Sequence, residues 1–250
     1  MLAYWTLVRR ELGSHFFSWT GYVVIAAVLL LLGLSFVDLL GKFNGEAIDQ
    51  PLTGVFYSTL YFWLILLLAS PVITMRSFAH EKASGTFETL MTTPVGDWQV
   101  VLAKFTGALV FYILMCLPLL LWVFLARPFS NDPSAVDVGT ICATLIGILL
   151  WGCLCMSLGC LASAITRSQI IAAILSLALG ISLFLLSYIS MSFASGPEWK
   201  MQIFSHIGLI EHMKDFARGV VDTRPLVFYL SFTVFFLFIT QKVIESRRWK

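Results

Sequence analysis

The chain has 250 residues, of which 59% are hydrophobic and only 12% are charged. A soluble domain is about 45–50% apolar and about 25% charged, so this composition excludes an ordinary soluble domain and indicates a polytopic membrane protein. The net charge of +2 gives no electrostatic footprint for nucleic acid, and we expect no nucleic-acid partner.

The first element is predicted to be an amphipathic helix at residues 2–18, lying on the cytoplasmic membrane surface. Its apolar side is defined by residues near helical spacing: Leu2, Trp5, Val8 and Leu12. We place Arg9, Arg10 and Glu11 on the opposite, polar side.

Six apolar segments follow, each near the roughly 20 residues that cross a bilayer. The predicted spans are 19–40, 55–75, 101–126, 138–164, 169–193 and 225–244. The first lacks an evident cleavage site for a signal peptide, so we expect it to be retained. With the N-terminus inside, the cytoplasmic segments carry more of the 16 Lys and Arg residues than the outer segments do, which predicts cytoplasmic termini.

A polar loop at 77–97 separates the second and third spans. Gly85 is a predicted helix N-cap, and Glu88 three residues on is placed either to reach back to it or to favour the helix N-terminus. The apolar residues Phe87, Leu90 and Met91 share one helical face, and Pro94 ends the helix after about two turns. A helix this short must dock on something, and that is either the bilayer surface or a groove on a partner protein.

The pattern of this loop resembles the coupling-helix region of ABC-2 type permeases, the membrane subunits of ATP-binding-cassette exporters. The matching residues are Arg76, Ala79, Glu81, Lys82, Gly85, Thr86, Glu88, Leu90, Pro94 and Val95. A second motif resembles the gliding-motility-associated (GldF-like) group of these permeases. It comprises His212, the run from Phe216 to Arg224, and Tyr229 to Ser231. The resemblance covers essentially the whole chain.

The resemblance implies an all-α, six-span ABC-2 fold that forms a single domain in the bacterial inner membrane. It implies two P-loop ATPase subunits per complex, a second permease copy or a sister permease, surrounding membrane lipid and, in the gliding group, a periplasmic auxiliary protein. ATP and Mg²⁺ would sit on the ATPase, with no cofactor in this chain. The residues implied to couple to the ATPase are Glu81, Lys82, Gly85, Thr86, Phe87, Glu88, Leu90, Met91, Pro94, Arg9 and Arg10.

In the resembled family, spans two and five line the central interface. That implies a largely apolar path with hydroxyl side chains at Ser58, Thr59, Ser70, Ser176, Ser182 and Ser187. Such a path would suit a lipid-like or amphiphilic cargo, or no small cargo at all. The direction of movement, export, is also implied only by the resemblance.

Several chemical classes are disfavoured by what the sequence lacks. It contains no Gly-x-x-x-x-Gly-Lys-Ser/Thr loop, so we expect no ATP hydrolysis and no catalytic residue in this chain. The span interiors are nearly free of ionisable groups, which argues against an ion-driven transporter. The four histidines lack metal-ligand spacing, so we predict each to be solvated or interfacial. The five cysteines are predicted to be structural.

Two features concern packing. Cys155, Gly159 and Ser163 form a small-residue stripe, which favours packing within the chain over a dimer seam. Pro118 is predicted to kink the third span.

The outer loop at 194–224 is predicted to contain one or two short helices, either interfacial and resting in the outer leaflet or re-entrant and dipping into it. The first has an apolar face made of Ile203, Phe204, Ile207, Ile210 and Met213. The second short piece is made of Phe216, Val220 and Val221. The alternative for this loop is a surface helix with no transport role. For the whole chain, the alternative to a permease is a membrane scaffold of a gliding-type machine.

Overall fold

The computed structural model describes residues 2–42, 59–92, 95–126, 138–192 and 208–248. These residues form ten α-helices and no strand. The helices are α1 (Leu2–Phe16), α2 (Trp19–Lys42), α3 (Leu60–Thr74), α4 (Ala79–Ser84), α5 (Thr86–Met91), α6 (Asp97–Ala126), α7 (Val138–Ile165), α8 (Gln169–Ser192), α9 (Leu209–Ala217) and α10 (Thr223–Arg248).

Six helical stretches in the described part are long and apolar enough to cross a membrane. They are Trp19–Asp38, Tyr61–Ser84, Asp97–Leu119, Val138–Ile165, Gln169–Tyr188 and Thr223–Ser246. The predicted all-α, six-span fold is confirmed. The second stretch combines α3, a turn and α4, and the start of its predicted span, 55–58, lies outside the described residues.

The third span begins earlier than predicted, because α6 starts at Asp97 rather than at residue 101. An acidic side chain in the first turn suits the positive end of a helix dipole. The helix then continues through Pro118 to Ala126 without interruption.

Helix α7 is the centre of the fold. In the most apolar stretch of each helix, 78% of α7 is buried by protein, against 22% of α8 and 28% of α2. It packs against α3, α6, α8, α9 and α10. Its many glycines, alanines, serines and cysteines let these neighbours approach closely, which is how membrane helices gain packing energy.

The small-residue stripe on α7 faces α3 of the same chain, as predicted. The Ser70 hydroxyl donates a hydrogen bond to the carbonyl oxygen of Cys155 at 2.9 Å. One turn further along, a Cβ added to Gly159 would overlap the side chain of Thr74. The stripe is therefore a helix–helix contact inside this chain.

The described part of the outer loop contains one short helix, α9. Its Phe216 lies over Gly147 of α7, where an added Cβ would be 2.8 Å from the ring. A second short piece around Val220 and Val221 was predicted, but these two residues are exposed and outside any helix. The loop residues Ile203, Phe204 and Ile207 lie outside the described residues.

His212 on α9 is buried, so the prediction of a solvated or interfacial histidine is wrong at this position. Its ring makes edge contacts with Phe228 at 5.8 Å and Tyr229 at 5.9 Å, measured between ring centroids. The cause is the docking of α9, which turns the apolar face of that helix, with His212 on it, toward the protein. His15 is partly buried and His80 is exposed, while His206 lies outside the described residues.

Candidate functional site: the coupling segment

The segment between the second and third spans, residues 77–92, folds as two short helices, and we call it the coupling segment. Gly85 joins α4 to α5 with a φ of 75°, in the left-handed region that favours glycine. The predicted N-cap role of Gly85 is confirmed, but α4 was not predicted. Of the two roles predicted for Glu88, the structure bears out the place in the first turn of α5, where a carboxylate suits the positive end of the helix dipole, and shows no side-chain cap bond.

The helix that was predicted to run up to Pro94 ends at Met91 in the structure. Thr93 and Pro94 lie outside the described residues, as does the side chain of Met91. That Pro94 ends this helix therefore stays a prediction.

The inner face of the coupling segment is anchored in the core. Phe87 and Leu90 are buried among the spans. The ammonium of Lys82 donates to the carbonyl oxygen of Ala164 and lies 5.2 Å from the centroid of the Phe87 ring. The segment is thus attached to the end of α7 as well as to the chain on either side.

Ser163 of α7 supplies the missing cap of α4. Its hydroxyl oxygen accepts hydrogen bonds from the backbone N–H groups of Phe78 and Ala79, both at 3.0 Å, and the hydroxyl donates to the carbonyl oxygen of Met75 at 3.2 Å. The first N–H groups of a helix have no partner within the helix, so a side chain from another helix satisfies them here.

Replacing Ser163 by alanine is expected to destabilise the protein by about 1 kcal/mol, the usual effect of losing a helix cap. The amides of Phe78 and Ala79 should then exchange with deuterium faster than in the wild type, while amides in the middle of α7 keep their rate. Serine to alanine at the exposed Ser84 is the control. Unchanged exchange at both amides in the Ser163 variant would contradict the capping role.

Four charged side chains from three helices meet beside α4, and we call them the charge cluster. The Glu81 Oε1 atom lies 2.9 Å from Arg10 Nη2 and 2.8 Å from Lys104 Nζ. The same lysine lies 2.9 Å from Glu11 Oε1, and Arg10 lies 3.3 Å from that oxygen. The side chain of Lys104 is 3% exposed and that of Glu81 is 15% exposed, whereas Arg10 at 53% is open to solvent. The cluster joins α1, α4 and α6.

Lys104 also lies 5.3 Å from the centroid of the Phe78 ring, so a cation–π contact adds to its ion pairs. The second oxygen of Glu81, Oε2, is buried and has no hydrogen-bond partner in the described part of the chain. The lysine is therefore the group that compensates most of the buried negative charge.

The position of Glu11 corrects the prediction for α1. The face that packs on α6 carries Tyr4, Val8, Glu11 and His15, and Glu11 is buried there, not exposed beside Arg9. Trp5, predicted on the apolar side, is 68% exposed. The Tyr4 hydroxyl donates to Thr106 Oγ1 at 3.1 Å, so this face is partly polar. Val8 is buried and Arg9 and Arg10 are exposed, as predicted, so the correction concerns Glu11, a buried charge that the periodicity of apolar residues does not reveal.

His15 stacks on Phe111 of α6, with ring centroids 5.3 Å apart. Burial lowers the pKa of His15, as do the charges of Lys104 and Arg76, while Glu11 opposes the shift. The ring is therefore neutral near pH 7 and adds no charge to this end of the molecule.

Most of the remaining predicted coupling residues that the structure describes are exposed to solvent. Arg9, Gly85, Thr86 and Glu88 are exposed, and so are His80 and Thr89. His80 lies 3.0 Å from the amide nitrogen of Gln169, which ties α4 to the start of α8. The exposed residues other than Arg9, which lies on α1, form the outer face of the coupling segment.

The hydroxyl residues predicted to line the translocation interface are mostly inside the helix packing. Thr59, Ser70, Ser176 and Ser187 are buried, and the hydroxyl of Ser187 accepts from the backbone N–H of Ile210 at 3.0 Å. Ser182 is exposed, and Ser58 lies outside the described residues. A translocation role for these residues stays a prediction.

No cluster of metal-ligand type occurs among the residues that the structure describes. All five cysteines are free; Cys142 is exposed and the other four are buried.

Six apolar spans, with α7 at the centre of their packing and a polar two-helix segment anchored at one end, define a multi-pass membrane protein. A family model described as ABC-2 family transporter protein matches residues 25–249. This is most of the 250-residue chain, and the chain therefore belongs to the ABC-2 transporter family. A search of the curated proteins found no match.

Proposed function

We propose that this chain is the membrane subunit of an ABC exporter in which separate ATPase chains hydrolyse ATP. Family membership supports a permease component. The observation that carries the proposal is the charge cluster, because it ties the coupling segment to α1 and α6 at one end of the spans. A segment that receives force from another protein needs such attachment if the force is to reach the membrane.

The two faces of the coupling segment have different roles in this proposal. The inner face, with Phe87 and Leu90, holds the segment on the spans. The outer face, with Thr86 and Glu88, is open and contacts the ATPase. Glu81 and Lys82, predicted as coupling residues, act through the permease itself by bracing the segment.

Closure of the ATPase chains would push on the outer face. The push would pass through Glu81 and Lys104 to the third span, and through Ser163 to α7. The ATP-bound partner would then favour the arrangement of the spans that it binds more tightly. The size of the shift would be set by the difference between its binding free energies for the two arrangements. ATP and Mg²⁺ would be bound by the partner, with no cofactor in this chain.

The assembly proposed has two permeases and two ATPases in the bacterial inner membrane, with both termini in the cytoplasm. The second permease is a copy of this chain or a sister chain. Helix α8 leaves much of its apolar surface uncovered in the single chain, including Ile170, Ile174 and Leu185, and a second permease or lipid would cover it. A role in gliding motility, together with a periplasmic auxiliary protein, is proposed only from the second sequence motif, which begins at His212.

Replacing Glu88 by arginine is expected to reduce capture of the cognate ATPase by about tenfold, because a reversed charge at an interface repels the partner's complementary charge. The measurement is co-purification in detergent with candidate P-loop ATPases from the same operon, followed by an assay of ATP turnover. Thermal unfolding of the variant should match that of the wild type, since Glu88 makes no contact that holds the fold.

The matched control is Glu211→Arg, a charge reversal at an exposed residue of α9, outside the coupling segment. It should leave ATPase capture unchanged. Equal ATPase capture by the wild type and the Glu88 variant would show that the outer face of the coupling segment is not the ATPase contact. If the folded wild-type protein captures no ATPase at all, the scaffold alternative becomes the better account.

A further inference from the structure

A cavity of about 770 Å³ opens beside the charge cluster. It lies between α1, the start of α2, the end of α3 and the coupling segment. Its lining includes the polar side chains of Arg76, Ser18 and Thr20, which we call the mouth, and the apolar side chains of Val24, Val72 and Phe111, which we call the floor. A polar mouth over an apolar floor is the shape of a site for an amphiphilic molecule.

Arg76 is the central group of the mouth. One guanidinium nitrogen donates to Ser18 Oγ and to Thr20 Oγ1, both at 2.9 Å, and the two hydroxyls lie 2.6 Å apart. No carboxylate pairs with Arg76 among the residues that the structure describes, and its other guanidinium N–H groups make no hydrogen bond there. An exposed arginine held by two hydroxyls is a ready donor set for a phosphate, because its planar fork matches phosphate oxygens.

Among the charged side chains that line the cavity, Arg76 carries the positive charge that no carboxylate balances. Three cations line it, Arg10, Arg76 and Lys104, against the two carboxylates of Glu11 and Glu81. Both carboxylates are already paired with Arg10 and Lys104 in the charge cluster. The arginine, lysine and glutamate side chains of the lining therefore sum to one net positive charge, and it sits at the mouth.

The apolar part of the cavity is continuous with surface that lipid covers. Val72 is partly exposed on α3, and Phe17 and Trp19 beside the mouth are among the most exposed apolar residues of the described chain. Tryptophan favours the level of the lipid headgroups. In a multi-pass membrane protein, an acyl chain can therefore reach the floor without leaving the bilayer.

We propose that this cavity binds the phosphodiester headgroup of an anionic membrane phospholipid. The phosphate lies against Arg76, Ser18 and Thr20, and the first part of an acyl chain covers Val24 and Val72. The bound lipid bridges the α1–α2 junction to the end of α3, next to the coupling segment. Phosphate is the recognised group, and the acyl chain distinguishes a lipid from a soluble phosphate compound.

The test is native mass spectrometry of the full-length protein in detergent, with added dioleoyl phosphatidylglycerol and, separately, dioleoylglycerol, which lacks the phosphate. The wild type should retain the phosphatidylglycerol and not the dioleoylglycerol. The Arg76→Gln variant should bind the phosphatidylglycerol about tenfold more weakly, the size expected for a lost charge-assisted hydrogen bond. The control is Arg167→Gln, which removes an exposed arginine from the α7–α8 turn beside Gln169, at the same end of the molecule.

A second variant keeps the arginine and fills the floor. Val72→Trp should also weaken lipid binding, so a folding failure of the Arg76 variant does not end the test. Equal lipid retention by wild type and both variants would overturn the proposal. Displacement of the lipid by inorganic phosphate at millimolar concentration would overturn the lipid assignment and leave a soluble phosphate site.

Discussion

Replacing Lys104 by methionine is expected to lower the free energy of unfolding by about 3–5 kcal/mol, because it leaves the buried carboxylates of Glu11 and Glu81 without their main partner. The removal of one member of a buried ion pair is costly for that reason and not because the pair itself is strongly favourable. The loss should be measured by denaturant titration in detergent, with helix content as the signal.

The sharpest control neutralises the whole buried part of the charge cluster. A triple variant with Lys104→Met, Glu11→Gln and Glu81→Gln should recover most of the lost stability, since a buried charged group replaced together with its partners can be nearly neutral. Arg10→Met should cost at most about 1 kcal/mol, as its side chain is half exposed and solvent screens its ion pairs. A Lys104→Met variant as stable as the wild type would show that the cluster does not hold α1 and α4 on α6.

The cluster has a functional consequence that separates stability from coupling. In the neutral triple variant the spans keep their packing, but α4 loses its charged link to α1 and α6. If the proposed function holds, that variant should capture the ATPase normally while altering its ATP turnover less than the wild type does. Unaltered turnover in the triple variant would mean that force enters the spans by another route, such as Ser163.

The parts of the fold that could be predicted from sequence are those fixed by local chemistry. Six apolar stretches of bilayer length predicted the spans, since length and hydropathy alone decide them. Gly85 within a polar stretch predicted the start of α5, because glycine supplies the conformation that a helix boundary needs there.

The parts that were missed depend on contacts between distant residues. Helix α4 has only six residues and depends on Ser163 from α7 for its cap, so nothing local predicts it. Glu11 was assigned to solvent because its neighbours Arg9 and Arg10 are charged, yet Lys104 draws it into the protein. A signal did exist: Lys104 stood inside a predicted span, where an unpaired charge is costly and a partner should have been sought.

His212 was missed for a similar reason. The apolar spacing of the outer loop was noticed, but the loop was expected to rest on lipid and not on α7 and α8. Docking on protein buries the whole face of α9, including the one polar ring on it. Sequence periodicity identifies a face that must be covered, and it leaves open what covers it.

Replacing Gly159 by alanine is expected to destabilise the protein by about 1–3 kcal/mol, the usual effect of overpacking a tight contact. The new Cβ would overlap Thr74, whose own Cβ would lie 2.6 Å away, and this is not the movable end of a long side chain. Thr74 is fully buried and its hydroxyl donates to the carbonyl oxygen of Ser70 at 2.8 Å, so it cannot turn away freely. Helices α3 and α7 must separate instead.

The same substitution at Gly33 of α2 is the matched control and should have the opposite sign. An added Cβ there meets no atom within 4 Å, so alanine should stabilise the helix by about 0.5–1 kcal/mol through its better helix propensity. Both changes are measured by the same denaturant titration. Because Ser163 lies one turn beyond Gly159, separation of α3 from α7 should also loosen the cap of α4, seen as faster amide exchange at Phe78 and Ala79. Gly159→Ala with wild-type stability and exchange would mean that α7 does not hold the coupling segment through this contact.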